Sequence, residues 1–393
     1  MRILFYCDTV FSFGGVQRVL AEVAKALCAD HRLVILTTDC HTDMTMYGYN
    51  ESPVQFDYIS YSGCPLMEHL LCKGYSFLYK KVLPHTKYTS ELYSKSFFPS
   101  SYKSKLIQKI NEGNYDVVIG VHAYLSLHLA SISDKIHIKK IGWMHNSYEA
   151  FFEKENPYLQ GLDSFFQWQM RKLDRVVVLS HADATCFSQK MNLKAEVIYN
   201  PLTVLSVGKG GPNHKKFLAI GRFSFKHKGF DILIKAFSIF VKTHPEWKLE
   251  IIGEGPEEQF YRSLIKEYNL ESSVQLYPFT KDVQSHYVCA SIYVLSSRWE
   301  GFGLVLIEAM AHGLPIISSD LPVTRELLKD RGVAIFFEKE NIQQLAECME
   351  YMVEQINLEL MGEKAYEYVR KFSIDNVCMN WNKLLKETVD GTR

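Results

Sequence analysis

Ser291-Ile-Tyr-Val-Leu295-Ser-Ser-Arg-Trp-Glu300-Gly-Phe-Gly-Leu-Val-Leu-Ile-Glu308-Ala-Met-Ala-His-Gly-Leu-Pro315-Ile-Ile-Ser318 reads as strand, glycine loop, helix, strand. The first and last runs are short and continuously apolar, the pattern of strands buried on both faces. Between them Glu300-Gly301-Phe302-Gly303 breaks the strand, and a helix begins near Phe302 to Leu304. Free N–H groups and the dipole at such a helix start can hold an anion, and a diphosphate is the natural candidate. Glu308 is expected about two turns into that helix, on a face able to meet a diol such as a ribose. Glu300 lies in the loop before it, near whatever the distal phosphate carries. One glutamate at a helix start means little, since acids are favoured there; the whole Glu-Gly-Phe-Gly-x4-Glu-Ala-Met-Ala-x-Gly-x-Pro string points to a site.

The same alternation runs outward in both directions. Upstream, Phe217–Ile220 and Lys248–Ile252 read as strands and Asp231–Val241 as a helix. Residues 205–216 hold Gly208, Gly210, Gly211 and Pro212, a linker composition. Before it lies a second series of strands: Ile3–Tyr6, Leu33–Leu36, Asp116–Gly120, Lys140–Met144, Arg175–Ser180 and Val197–Pro201. Val16, Val19, Leu20, Val23, Ala24 and Leu27 recur at a helical period after the first strand. Two α/β domains, each a parallel sheet covered by helices, join near residue 205, and the final segment from about Ser373 to Lys386 reads as a helix. Ligands of such sheets bind beyond the carboxyl ends of the strands, so a cleft between the two domains is the expected site.

Three further loops follow strands. Gly221-Arg222-Phe223-Ser224-Phe225-Lys226-His227-Lys228-Gly229 puts Arg222 and Lys228 about one tight loop, where both can converge on an anion. Gly14-Gly15-Val16-Gln17 lets backbone approach a ligand closely, although it is not the G-x-G-x-x-G dinucleotide fingerprint. Trp143-Met144-His145 ends a strand, and His122 ends another; the residues alone do not separate the two histidines.

Composition excludes several classes. Over 393 residues, Lys plus Arg and Asp plus Glu are both 44, without the basic excess of a nucleic-acid binder. The nine cysteines are odd in number and form no C-x-x-C pair, which fits reduced cytosolic thiols and removes a paired-cysteine zinc site. No apolar run approaches the length of about 18 residues that spans a bilayer, and the run before Asp8 is too short for a signal peptide. There is no Asp-x-Asp pair, no phosphate-binding G-x-x-x-x-G-K-[ST] loop and no G-x-S-x-G elbow. Residues 70–110 hold eight lysines (Lys73, Lys80, Lys81, Lys87, Lys95, Lys103, Lys105 and Lys109), one acid (Glu91) and eight interleaved tyrosines and phenylalanines. Such a stretch suits an anionic membrane surface, and equally a solvated helical face.

These motifs, in this order, resemble the family 4 glycosyltransferases of the GT-B fold, of the bacterial polysaccharide and glycolipid type. The resemblance implies an α/β protein of two Rossmann-like, doubly wound parallel-sheet domains facing a central cleft. Residues 1–204 would bind the acceptor, with a helix at 375–393 packing back on them, and residues 205–374 would bind the nucleotide-sugar. Arg222 and Lys228 would bind the donor diphosphate, Glu308 the ribose and Glu300 the donor sugar. The backbone from Phe302 through Gly303 to Leu304 would touch phosphate and sugar hydroxyls. Gly253, Pro278 and Phe279 would sit near the nucleoside, Gly14 and Gly15 near the phosphates, and Gln17 near the acceptor. His145 would be the active-site histidine beside the transferred sugar. His145, Arg222, Lys228 and Glu300 would thus form the catalytic set. The family implies retention of anomeric configuration, with neither a cofactor nor a metal. The expected activity is transfer of a hexose or N-acetylhexosamine from a UDP-sugar to a lipid-linked oligosaccharide or glycolipid, in the cytoplasm at the inner face of the membrane. GDP-mannose as donor, a nucleotide-sugar epimerase on the same fold, and an inactive partner subunit are the competing readings, which turnover with and without acceptor separates.

Overall fold

A computed structural model describes residues 1–39, 42–204 and 206–391. Cys40 and Leu205, the latter at the expected domain junction, lie outside the described residues. The chain divides into two compact units, Met1–Pro201 with Ile374–Arg393, and Leu202–Ser373. The division falls three residues before the expected junction (204 against 201).

Unit 1 is built on seven parallel strands: β1 (Arg2–Tyr6), β2 (Arg32–Thr37), β3 (Gln55–Tyr58), β4 (Val117–Val121), β5 (Lys139–Trp143), β6 (Arg175–Val178) and β7 (Glu196–Val197). Their order is β3-β2-β1-β4-β5-β6-β7. Ile3 stands opposite Leu33 on one side and Val117 on the other, so β1 and β4 form the middle of the sheet. All of Val117–Val121 is buried, as expected of a strand covered on both faces. Its first five α-helices are α1 (Gly15–Leu27), α2 (Leu66–Lys81), α3 (Lys87–Ser94), α4 (Ser100–Glu112) and α5 (Ala123–Ser131). The helix Ile374–Val389 belongs to this unit: it buries Trp381 edge-on against Trp143 (4.9 Å), and Asn382 donates to Asp30 (2.9 Å).

Unit 2 holds six parallel strands: β8 (Lys216–Ile220), β9 (Lys248–Ile252), β10 (Val274–Tyr277), β11 (Ile292–Leu295), β12 (Ile316–Ser319) and β13 (Ala334–Phe337), in the order β10-β9-β8-β11-β12-β13. In both sheets the winding reverses beside the first strand, between β1 and β4 and between β8 and β11. Adjacent loops diverge there, which opens a crevice at the carboxyl edge. The strands that the apolar runs did not announce, β3, β10 and β13, are all sheet edges with half-exposed residues.

Candidate active site

The candidate residues of unit 2 lie in the loops after its strands or in the helices that follow them, on the carboxyl edge of the sheet. The loops after β8, β9 and β10 extend the sheet ladder: Gly221 N donates to Ile252 O (3.0 Å), Phe223 N to Glu254 O (2.8 Å) and Gly253 N to Tyr277 O (3.0 Å). Gly253 lies so close to its neighbour that a Cβ there would stand 1.9 Å from Gly221 O. Its smallness therefore serves loop against loop. Gly253→Ala is expected to lose about 1–3 kcal/mol by overpacking, read as a lower urea midpoint at unchanged slope; an unchanged midpoint would contradict the close approach.

The loops after β8 and β11 are bolted together across the reversal point. Lys228 Nζ stands 2.6 Å from Glu300 Oε1, and Ser297 Oγ donates to the same oxygen at 2.6 Å. His227 Nε2 is 3.9 Å from Glu300 Oε2, and the His227 ring stacks on Trp299 with centroids 3.8 Å apart. Ser296 Oγ donates to Lys228 O (2.9 Å) and Arg298 N to His227 O (2.7 Å). Gly229 closes the turn with φ 61°, and a Cβ there would lie 2.1 Å from Ser296 O, so conformation and space both require glycine. Behind this, Arg298 grips both oxygens of Asp231 at 2.9 Å. Burial opposes ionisation of Glu300, but Lys228, His227 and the hydrogen bonds from Lys228 and Ser297 outweigh it and hold the carboxyl below its ordinary range. Lys228 is thus already engaged by Glu300. Arg222 differs: it is exposed, and among the described residues its guanidinium has no ion-pair or hydrogen-bond partner. The Lys228 stem runs over Gly221, the residue before Arg222, so both cations belong to one loop.

The helix after β11 is Leu304–Ala311, with Gly303 at its N-cap (φ 84°) and no side-chain cap. Its first-turn N–H groups are therefore left without a capping side chain. Glu308 is the fifth residue of this helix, so it sits just over one turn in rather than two; the helix starts only after left-handed Gly303. Glu308 is buried and accepts from Tyr287 Oη at 3.0 Å; Tyr287 in turn stacks on His312. The Phe302 ring is buried, edge-on to the Phe372 ring with centroids 6.1 Å apart. Leu304 is half-buried, and Pro278 and Phe279 are exposed beyond β10.

In unit 1, Gly14 is the N-cap of α1, with no side-chain cap, and Gly14 and Gly15 are exposed. Gln17 Nε2 donates to Thr9 Oγ1 (2.9 Å), and Gln17 Oε1 occupies the space a Gly14 Cβ would need. Asp39 Oδ2 accepts from Phe11 N (2.9 Å) and Val10 N, pinning the loop from the end of β2.

His122 and His145 stand at the ends of neighbouring strands. His145 is buried, its ring 4.2 Å from Trp143, and its Nε2 has no partner among the described residues. His122 is the N-cap of α5 at the sheet's reversal point, with φ 88° and ψ 151°, a conformation that belongs almost to glycine alone. Its N donates to Trp143 O (2.8 Å), its O accepts from Ser126 N (3.0 Å), and its Nε2 is 3.5 Å from Asn146 Nδ2. Burial pushes both imidazoles below the ordinary histidine range; His122 adds to this for His145, while Asp8 partly offsets it for His122. Both rings are neutral hydrogen-bonding groups at neutral pH. The strained His122 backbone, the Lys228–Glu300 pair, Tyr287 on Glu308 and the Asp39 brace had no local signal in the sequence beyond residue type.

Residues 13–204 match the family described as Glycosyltransferase Family 4, and residues 209–370 match Glycosyl transferases group 1. An uncharacterized glycosyltransferase of Haemophilus influenzae is 29% identical over 388 residues, covering 98% of this chain and 99% of that one. A lipopolysaccharide 1,6-galactosyltransferase of Salmonella typhimurium is 32% identical over 141 residues, 34% of this chain and 39% of that protein. Among solved structures, Anabaena HepE in complex with UDP superposes with a TM-score of 0.73 at 18% identity, over 98% of this chain and 100% of that one. The two doubly wound sheets and these matches agree: the chain has the GT-B α/β fold and belongs to the family 4-like glycosyltransferases.

Proposed function

We propose that this glycosyltransferase takes a UDP-linked hexose or N-acetylhexosamine and transfers it, with retention, to a lipid-linked oligosaccharide or glycolipid in the synthesis of a cell-surface polysaccharide. The observation that carries the donor half is Arg222, exposed and without a partner among the described residues, on the same loop as the Lys228–Glu300 pair, at the reversal point of the unit 2 sheet beside an uncapped helix start. The UDP held by HepE and the lipopolysaccharide acceptor in the name of the Salmonella relative support the donor and acceptor classes.

In this reading Arg222, Lys228 and the N–H groups around Gly303 and Leu304 take the diphosphate. Glu308, held by Tyr287, takes the ribose, and Gly253, Pro278 and Phe279 line the nucleoside. Glu300 meets the donor sugar, His122 and His145 bond its hydroxyls as neutral imidazoles, Gly14 and Gly15 approach the phosphates, and Gln17 meets the acceptor. The acceptor oxygen attacks the anomeric carbon on the face the diphosphate leaves. As the bond from that carbon to the diphosphate oxygen breaks, the acceptor proton passes to the departing diphosphate. Arg222 and Lys228 stabilise the charge that develops there, so no metal is required.

Calorimetry with UDP and GDP, with and without EDTA, tests this. UDP is expected to bind equally in both conditions. Arg222→Ala is expected to weaken it about 10- to 150-fold, the loss of a hydrogen bond to a charged group, with the melting temperature unchanged because the Arg222 side chain is exposed. Loss of UDP binding in EDTA, or full affinity in Arg222→Ala, would overturn the assignment. GDP binding in place of UDP would move the donor to mannose.

A further inference from the structure

Helix α2 is inside out. Of its sixteen residues only Tyr79 is buried. Leu66, Met67, Leu70, Leu71, Phe77 and Leu78 are all exposed, Leu66 at 74% and Phe77 at 62%. At about 100° per residue these side chains share one half of the helix circumference. The half turned to the protein is the polar one: Glu68 accepts from Ser101 N (3.0 Å) and Oγ (2.7 Å), Ser76 accepts from Tyr93 Oη (3.0 Å), and Tyr79 Oη meets Ser90 Oγ (2.9 Å). A chain that folds its polar face inward with satisfied hydrogen bonds and leaves a continuous apolar face outside has built an interaction surface. The face continues past Val82 and Leu83 to Tyr88 and Leu92 of α3, and a groove of about 500 Å³ runs between the two helices.

The charges around this face select its occupant. Lys73 and Lys81 are exposed on the same half of α2, and Lys87 opens α3. The acids nearby, both partly exposed, are engaged by the protein itself, Glu68 by Ser101 and Glu91 by Lys172 (2.7 Å). The three lysines of α4 are spent likewise: Lys103 is buried and donates to Ser94 O and Lys95 O, Lys105 donates to Ser62 O, and Lys109 pairs with Asp57. The basic stretch at 70–110 therefore divides. Its second part braces the fold, and its first part presents apolar side chains among unopposed cations. Among the described residues no helix is long and apolar enough to cross a membrane. We propose that α2 and the start of α3 lie flat in the surface of an anionic lipid bilayer, the apolar face in the acyl boundary and Lys73, Lys81 and Lys87 at the headgroups. This docking rests on none of the donor-site assignments. It deepens the acceptor reading, because α2 follows β3 and so leaves the same carboxyl edge of the sheet that carries His122.

Sedimentation of the full chain with vesicles of phosphatidylcholine alone, or with 30 mol% phosphatidylglycerol, is the test. Binding is expected only with phosphatidylglycerol, and it should weaken as salt rises. Lys73→Gln with Lys81→Gln should lower partitioning about 25-fold, fivefold per lysine. Leu70→Ser with Phe77→Ser should lower it at least as much. UDP affinity should not move in either variant, which separates this test from the donor site. Phe77→Trp should show a blue-shifted emission on vesicle binding. Equal binding to neutral vesicles, no binding to anionic ones, or full binding by the variants would overturn the proposal. So would a wild-type dimer that Leu70→Ser with Phe77→Ser turns into a monomer, since the face would then be a contact between copies of the chain.

Discussion

Lys228→Ala is expected to lower stability by about 3–5 kcal/mol, the range for removing one partner of a buried ion pair, and to lower kcat/KM by about 10²–10³, the range for losing one preorganised charge-stabilising donor. Glu300 is 7% exposed, and its near oxygen is shared between Lys228 and the Ser297 hydroxyl. Without Lys228 the carboxylate keeps a neutral donor and a histidine 3.9 Å away, too little to offset its burial. The pH dependence carries the same argument with a sign. In the wild type the Glu300 carboxyl is held below its unfolded value, so its contribution is present above the unfolded carboxylate range, about 4.3, and is lost as pH falls through the folded value. In Lys228→Ala burial outweighs the remaining Ser297 and His227 contacts and the carboxyl moves up. The folded state then holds the extra proton, and stability falls as pH rises from 5 to 7. Urea midpoints at the two pH values read the slope directly, and parallel slopes in the two proteins would show that Lys228 does not control Glu300. The double change Lys228→Met with Glu300→Gln removes both charges at once. It should recover most of the stability and none of the activity, which separates bracing the loops from handling the donor.

What the sequence conveyed and what it withheld follow from the range of the interactions. Val117–Val121 or Ile292–Leu295 announce themselves because a strand in mid-sheet is apolar on both faces. Gln55–Tyr58 at an edge alternates with polar residues and faces solvent, so its four residues carry no such mark. The loops of the site were legible for the same local reason: glycines between an apolar strand and a helix. The pairings inside the site were not. Lys228 and Glu300 are 72 residues apart, Asp231 and Arg298 are 67, and Tyr287 and Glu308 are 21, and only the folded sheet brings them together. Composition could count the lysines of 70–110 but not say that Lys103 points inward and Lys73 outward. Periodicity would assign the apolar arc of α2 to a core; the polar partners that turn it outward, Ser101, Tyr93 and Ser90, lie on other helices.

His122→Gly is expected to fold more stably than His122→Ala by about 1–2 kcal/mol, against the usual order in which alanine is favoured over glycine by about 0.5–1 kcal/mol. Both variants lose the same imidazole and its edge-on contact with Phe151, so their difference reports the backbone alone. At φ 88° and ψ 151° any Cβ is strained, by about 1–3 kcal/mol, and glycine is not. The surrounding bonds explain why the strain persists. Trp143 O fixes the His122 N–H, and the Ser126 N–H and hydroxyl hold its carbonyl, so the end of β4 and the start of α5 leave the residue no other conformation. A glycine would satisfy that geometry without strain, yet the chain carries an imidazole where the sheet reverses and a ligand would enter. That choice is intelligible only if the ring is needed, and kcat/KM should fall about 10- to 100-fold in both variants, the loss of a hydrogen bond or two at the reacting sugar. A pH series adds an independent reading. Burial keeps the folded imidazole deprotonated, so the unfolded chain takes up the proton first, and stability falls as pH drops below about 6.5. Both variants should lose His122's share of that acid sensitivity. If instead glycine proves less stable than alanine, the backbone at this position is unstrained and the reason for placing His122 at the transferred sugar disappears; if glycine proves more stable while activity is unchanged, the strain is real but serves the fold, and His145 alone remains for that role.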